Sequence, residues 1–273
     1  VAADEFTSGE GAAGPGETFP DVQQMPSGRP TQVEYLRVFS YVFESPHWLT
    51  TILIGGLCYF AQQLLPVIGI VGPLLFLGYQ FEVTEALLRN KGASYPEFDF
   101  DRFSDYLMRG LWPLLVYLAI AVMTIIPVSI VCLGMFGAAA AVSGAVDKDV
   151  APLVVVAVML MCFLITMIIG VVVSLFATPM MLRAGLMQQF GEAFKFGWAK
   201  DFVGRTWKEM ILFWLFMMVA YLVLAPLGLV MFCVGIFAVA ALFTMANGHI
   251  YYQLYALYLA RGGEPIPLDP PIK

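Results

Sequence analysis

Hydrophobic residues in this chain come in long unbroken blocks rather than in alternation. No Asp, Glu, Lys or Arg occurs in 46–81, 110–146, 150–182 or 210–248. Each block exceeds the ~20 apolar residues that cross a hydrocarbon core about 30 Å thick. A soluble core does not need runs of that length. Helices that are apolar on every side carry no 3.6-residue pattern, so span limits are read from breakers, aromatics and charges. Ser45-Pro46 places an N-cap before a proline at the first helical position. Trp48 suits a membrane boundary, and Pro66 with Gly69 turns the chain. The same order returns twice, as Trp112 then Pro127 and as Trp207 then Pro226, with Gly228 close behind. The three intervals are 18, 15 and 19 residues, each near one crossing at about 1.5 Å per residue. Cys132-Leu133-Gly134-Met135-Phe136 echoes Cys233-Val234-Gly235-Ile236-Phe237, a local sign of an internal repeat. The pattern predicts an all-α fold, a polytopic transmembrane helical bundle of about six spans in three hairpins. The spans fall at about 46–65, 67–88, 111–135, 150–178, 209–225 and 227–250. The middle hairpin is the awkward one: 111–146 is too long for one straight span, so Gly137–Gly144 is assigned to an outer segment, with a re-entrant 128–146 as the alternative.

An amphipathic stretch precedes each hairpin. Residues 33–44 set Leu36, Phe39 and Phe43 against Glu34, Arg37, Ser40 and Glu44. Residues 98–109 set Phe100, Phe103 and Leu107 against Asp101, Asp105 and Arg109. Residues 186–206 carry Phe190, Phe194, Trp198 and Phe202 at i+4 spacing, with Glu192, Lys195 and Arg205 elsewhere. Such segments suit the headgroup region on the cytoplasmic side, or the ends of neighbouring spans. Charge then orients the bundle. Thirteen of the fourteen basic residues fall before the first hairpin, between hairpins or after the last, leaving Lys148 alone on the other side. The positive-inside rule makes the basic face cytoplasmic, which predicts a multi-pass protein of the cell (inner) membrane with N- and C-termini in the cytoplasm.

Composition agrees: 60% of the 273 residues are hydrophobic and 12% are charged, against about 25% charged in soluble domains. The net charge of −6 is concentrated early. Residues 1–30 hold Asp4, Glu5, Glu10, Glu17 and Asp21 among many Gly and Pro, which predicts a disordered acidic tail. It does not read as a secretory signal, having no basic lead into a short apolar stretch. The transmembrane domain is taken as 31–262, with a C-terminal tail at 263–273.

Candidate chemistry is sparse. Glu82 and Glu85 share a face near the inner end of the second span, and Arg89 lies four residues after Glu85. Asn247, His249 and Gln253 sit near the inner end of the last span, followed by tyrosines that suit an aromatic belt. Glu82, Glu85, Arg89, Asn247, His249 and Gln253 form the candidate polar cluster at the cytoplasmic interface. Interfacial ion pairing competes with a functional carboxylate, and a site shared by His249 with Glu82 or Glu85 requires the second and sixth spans to touch. No metalloprotease, nucleophile-elbow or phosphate-loop signature occurs, so no enzyme, catalytic residue, cofactor or metal site is expected. Cys58, Cys132, Cys162 and Cys233 lie apart inside apolar runs and read as small buried hydrophobes. Basic residues are too dispersed for nucleic-acid binding.

The stretch Gly78–Gly110, GYQFEVTEALLRNKGASYPEFDFDRFSDYLMRG, resembles the signature of an uncharacterised prokaryotic multi-span membrane family, domain-of-unknown-function family four thousand and thirteen. Pro96, Glu97, Phe98, Asp99 and Gly110 stand at its motif positions. Gly248-His249 and the segment from Gln253 to Tyr258 resemble the family's last helix, so the likeness runs over roughly 46–262. It implies a multi-span membrane fold and supplies no reaction, ligand or catalytic residue. Two roles remain in view. One is a non-catalytic scaffold, assembly factor or accessory subunit in the lipid bilayer, with other membrane subunits or a cytoplasmic partner of the tail. Small-residue pairs (Gly55-Gly56, Gly69/Gly72, Gly134/Gly137) permit the close helix approach this needs. The alternative is a transporter or channel for a small or apolar solute, suggested by the prolines that interrupt the runs.

Overall fold

The computed structural model describes residues 32–64, 69–89, 95–145, 147–231 and 235–267. The acidic tail therefore lies outside the described residues, as do Pro66 and Cys233. Among the described residues the chain is helical, with no strand. Two short helices, α1 (Arg37–Ser40) and α6 (Phe190–Ala193), accompany six long ones: α2 (Trp48–Leu64), α3 (Val71–Arg89), α4 (Phe103–Ser143), α5 (Ala151–Met187), α7 (Phe196–Val230) and α8 (Gly235–Ala260). By length and composition α4, α5 and α7 are long and apolar enough to cross a membrane.

Several limits differ from those expected, each for a physical reason. The helix α4 runs on through 137–144, because its alanines have the highest helix propensity. Gly144 then caps it, its N–H donating to Ala140 O at 3.2 Å. Pro127, Pro179 and Pro226 all lie inside helices. In apolar surroundings a proline forfeits one backbone bond, whereas a break would strand several. The last turn therefore follows Val230 rather than Pro226. The second and third amphipathic stretches are not separate helices. The second is a 3-10 turn at Phe100–Arg102 leading straight into α4. The third divides among the end of α5, α6 and the start of α7. Gln188, in the left-handed conformation at φ 52°, closes α5.

Helix α8 packs against α2, α3 and α7, while α4 pairs with α3 on one side and α5 on the other. Glycines let the axes approach. A side chain on Gly55 would meet Phe76 and Ala241 within 2.8 Å, and one on Gly72 would meet Cys58 O at 2.7 Å. Gly78 of α3 and Gly110 of α4 face each other so closely that a β-carbon on either would collide with the other helix's backbone. These two residues bound the 78–110 motif. Gly134 and Gly137 have nothing within 4 Å, so that pair does not serve packing within the chain.

The chain's polar segments meet at one end of the bundle. Arg102 of the turn before α4 pairs with Glu82 near the end of α3. Gln188 after α5 donates to the Arg109 carbonyl in α4 at 3.5 Å. Arg183 of α5 lies 5.2 Å from the Trp198 ring of α7, and Trp198 donates to the Glu264 carbonyl past α8 at 3.0 Å. The ends of α3, α5 and α8 thus lie with the starts of α4 and α7, and the 147–150 turn lies at the other end of α4 and α5.

Candidate functional site

Two separate polar groups occupy this end. The first hangs on α3. Glu82 and Glu85 stand one turn apart and are both oriented toward α4. Glu82 accepts from Arg102, whose Nε also lies 3.6 Å from Asp105. Glu85 accepts from Arg89 at 2.6 Å and pairs through its other oxygen with Arg109. Arg109 is 7% exposed, and its Nε finds no partner among the described residues. The expected division of 98–109 holds only in part: Asp101 is exposed and Leu107 packs on the core, but Arg109 is buried while Phe100 and Phe103 are exposed. Removing one member of such a buried pair costs about 3–5 kcal/mol, because the other charge is left without compensation.

The 95–99 segment supports this group. Tyr79 donates to the Pro96 carbonyl at 2.8 Å. Asp99 accepts the Asp101 N–H at 2.9 Å, closing the turn, and its own N–H donates to Tyr106 at 3.3 Å. Phe98 packs against Tyr79 and Tyr106 with ring centres 5.3 and 5.1 Å apart. The motif residues Pro96, Phe98 and Asp99 thereby fix how α3 is joined to α4.

The second group hangs on α8. His249 Nδ1 and Gln253 Nε2 are 2.9 Å apart. Gln253 accepts the Glu34 N–H at 2.7 Å and donates to the Glu34 carbonyl at 3.2 Å. Its side-chain amide therefore satisfies both main-chain polar groups of Glu34, in the segment ahead of α1. His249 lies against Tyr41, with ring centres 4.4 Å apart, and Tyr41 donates to the Met245 carbonyl at 2.7 Å. Around α1, Val38, Tyr41 and Val42 are buried, whereas Leu36 and Phe43 point outward. Asn247 is half-buried and joins neither group.

Helices α3 and α8 do touch: Thr84 donates to the Gly248 carbonyl at 3.1 Å. Their candidate side chains nevertheless diverge. Glu82 and Glu85 engage α4 and its preceding turn, while His249 and Gln253 hold the N-terminal segment. The contact that a shared site requires is present, yet the two groups of side chains do not meet across it.

The tyrosines of α8 also depart from expectation. Tyr255 and Tyr258 are 3% and 0% exposed, so they form no lipid-facing belt. Their hydroxyls accept the Ile266 N–H at 2.6 Å and the Glu264 N–H at 2.9 Å, and Tyr258 donates to Asp201 at 3.0 Å. Between α5 and α7, Glu192 accepts from Arg183 and Lys195, each at 2.8 Å. Hydrogen bonds from Lys195 and then Arg183 hold its carboxyl below the ordinary range.

Residues 63–234, well over half of the chain, match the family described as protein of unknown function (DUF4013). The chain belongs to this family. No curated protein and no solved structure matches it. The DUF4013 match takes in Glu82, Glu85, Arg89, Arg102 and Arg109 and ends before α8 begins. The first polar group is therefore part of the matched region, and the His249–Gln253 group lies beyond it.

Proposed function

We propose that this protein is a non-catalytic integral component of the cell membrane, a scaffold or accessory subunit. In this reading α2, α3, α4, α5, α7 and α8 each cross the bilayer and both chain ends face the cytoplasm. The observation that carries it is where the charges go. Glu82 and Glu85 are each engaged by guanidinium groups that join helix ends, an arrangement suited to rigidity rather than to binding and releasing an ion. The long apolar blocks carry no Asp, Glu, Lys or Arg that could relay one. The alternating helices and the basic residues gathered at one end support the orientation. Large apolar side chains directed outward from α4, α5 and α7 offer a surface to lipid and to partner subunits.

Gentle purification of the full chain tests the role. Stoichiometric co-purification with defined partners, without solute flux in liposomes, is the expected result. A solitary protein that passes a solute, with flux lost in Glu82→Gln or His249→Ala, makes it a transporter instead. Labelling tests the topology: Arg102 and Lys200 replaced by cysteine should react from one side, and residues 140–150 from the other.

A further inference from the structure

Cys132 and Cys162 stand fifteen residues before and after Asp147, so the α4–α5 turn sets them opposite one another. Met135, one turn along α4 from Cys132, directs its sulfur to within 3.9 Å of Cys162 Sγ. Cys162 is buried, and Cys132 and Met135 are half-buried. Cys132 and Met135 share a face of α4, so three sulfur-bearing side chains from two helices line the seam, inside stretches without a charged residue.

We propose that Cys132, Met135 and Cys162 bind a soft monovalent cation, Cu(I) or Ag(I). Thiolate and thioether sulfur are the ligands that select such ions. Metal–sulfur bonds of about 2.3 Å, arranged trigonally, require the sulfurs to stand about 4 Å apart, close to the separation of Met135 and Cys162. Charge favours the same ion. One S–H bond breaks, one S–metal bond forms, and the proton leaves to water. The second thiol and the thioether donate lone pairs, so the loaded site is neutral, as apolar surroundings require. No electron moves. Zinc would call for a fourth ligand, and no group of three or more His, Cys, Asp or Glu suited to a metal exists among the described residues.

The test uses the purified full chain under reducing conditions, with Cu(I) supplied from a coloured bicinchoninate complex and Ag(I) as a second probe. Uptake of one equivalent per chain is expected. Cys132→Ser and Cys162→Ser should each weaken binding by at least about 100-fold, and Met135→Leu, which preserves volume, should weaken it measurably without altering the melting temperature. Cys58→Ala should bind as the parent does. No uptake, or uptake retained when Cys132 and Cys162 are both serine, would overturn the proposal. So would a Cys132–Cys162 disulfide in protein that fails to hold either ion.

Discussion

Where α4 begins and α5 finishes, Arg109, Gly110, Leu182 and Arg183 are buried. Further along the same two helices, Ile130 and Leu133 are 65% and 71% exposed, and Leu160 and Phe163 are 59% and 60% exposed. Burial thus runs opposite to hydrophobicity: charges lie inside and hydrocarbon lies outside. Only 6% of the most apolar stretch of α4, of α5 and of α7 is buried within the protein. In water, leaving about a dozen such side chains exposed would forfeit roughly 20 kcal/mol, more than the about 5–15 kcal/mol that stabilises a typical native protein. The surroundings these faces fit are hydrocarbon. The polar end obeys the rule that buried charges must be paired, and the apolar part obeys the solvent outside it.

That contrast should break most visibly at the buried ion pairs. Glu85→Ala leaves Arg109 without its carboxylate, and a loss of about 3–5 kcal/mol is expected, read as a lower melting temperature in detergent. Next comes the α3–α4 crossing. Gly78→Ala drives a methyl group into the α4 backbone and should cost about 1–3 kcal/mol, while Gly134→Ala, with open space around it, should fall within about 0.5 kcal/mol. Equal effects at the two glycines would erase the distinction between the ends. A subtler difference appears with pH. Glu192 is held below its ordinary range, so its contribution is present above the unfolded value of about 4.3 and is lost as pH falls through the lower folded value. The melting temperature should drop across that window in the parent and drop less in Glu192→Gln.

The extent of the helices was largely legible because lipid-compatible blocks announce themselves by missing charge. Each of the six long helices overlaps a stretch expected to be helical, and α4, α5 and α7 are long and apolar enough to cross a membrane. Their ends were harder to read. Pro226 and 137–144 look like breaks in isolation, and only the cost of unpaired backbone in apolar surroundings keeps them helical. At the candidate site, Glu85 with Arg89 was readable from i,i+4 spacing. Arg102 and Arg109 were not, because their pairing depends on which faces of α3 and α4 meet, and Gly78 and Gly110 decide that. Arg102 and Arg109 are seven residues apart, two turns along one face, just as Glu82 and Glu85 share a face; matching those two stripes was the available clue. Tyr255 and Tyr258 misled for a related reason. A tyrosine at a boundary has the same spacing whether lipid or a returning tail covers it, and here 264–266 returns. The meeting of the Cys132–Met135 face with Cys162 follows from counting outward from Asp147, once α4 and α5 are known to pair.

The grip of Gln253 on the Glu34 main chain has a consequence for biogenesis. A ribosome releases residue 34 long before residue 253 exists, and Gly56 of α2 rests on the Ala238 backbone of α8 in the same way. The segment ahead of α1 must therefore wait, unseated, until α8 has been made. Closure of α1 and α2 onto α8 therefore follows the synthesis of α8, and a chain stalled before α8 would hold α1 and α2 without that neighbour.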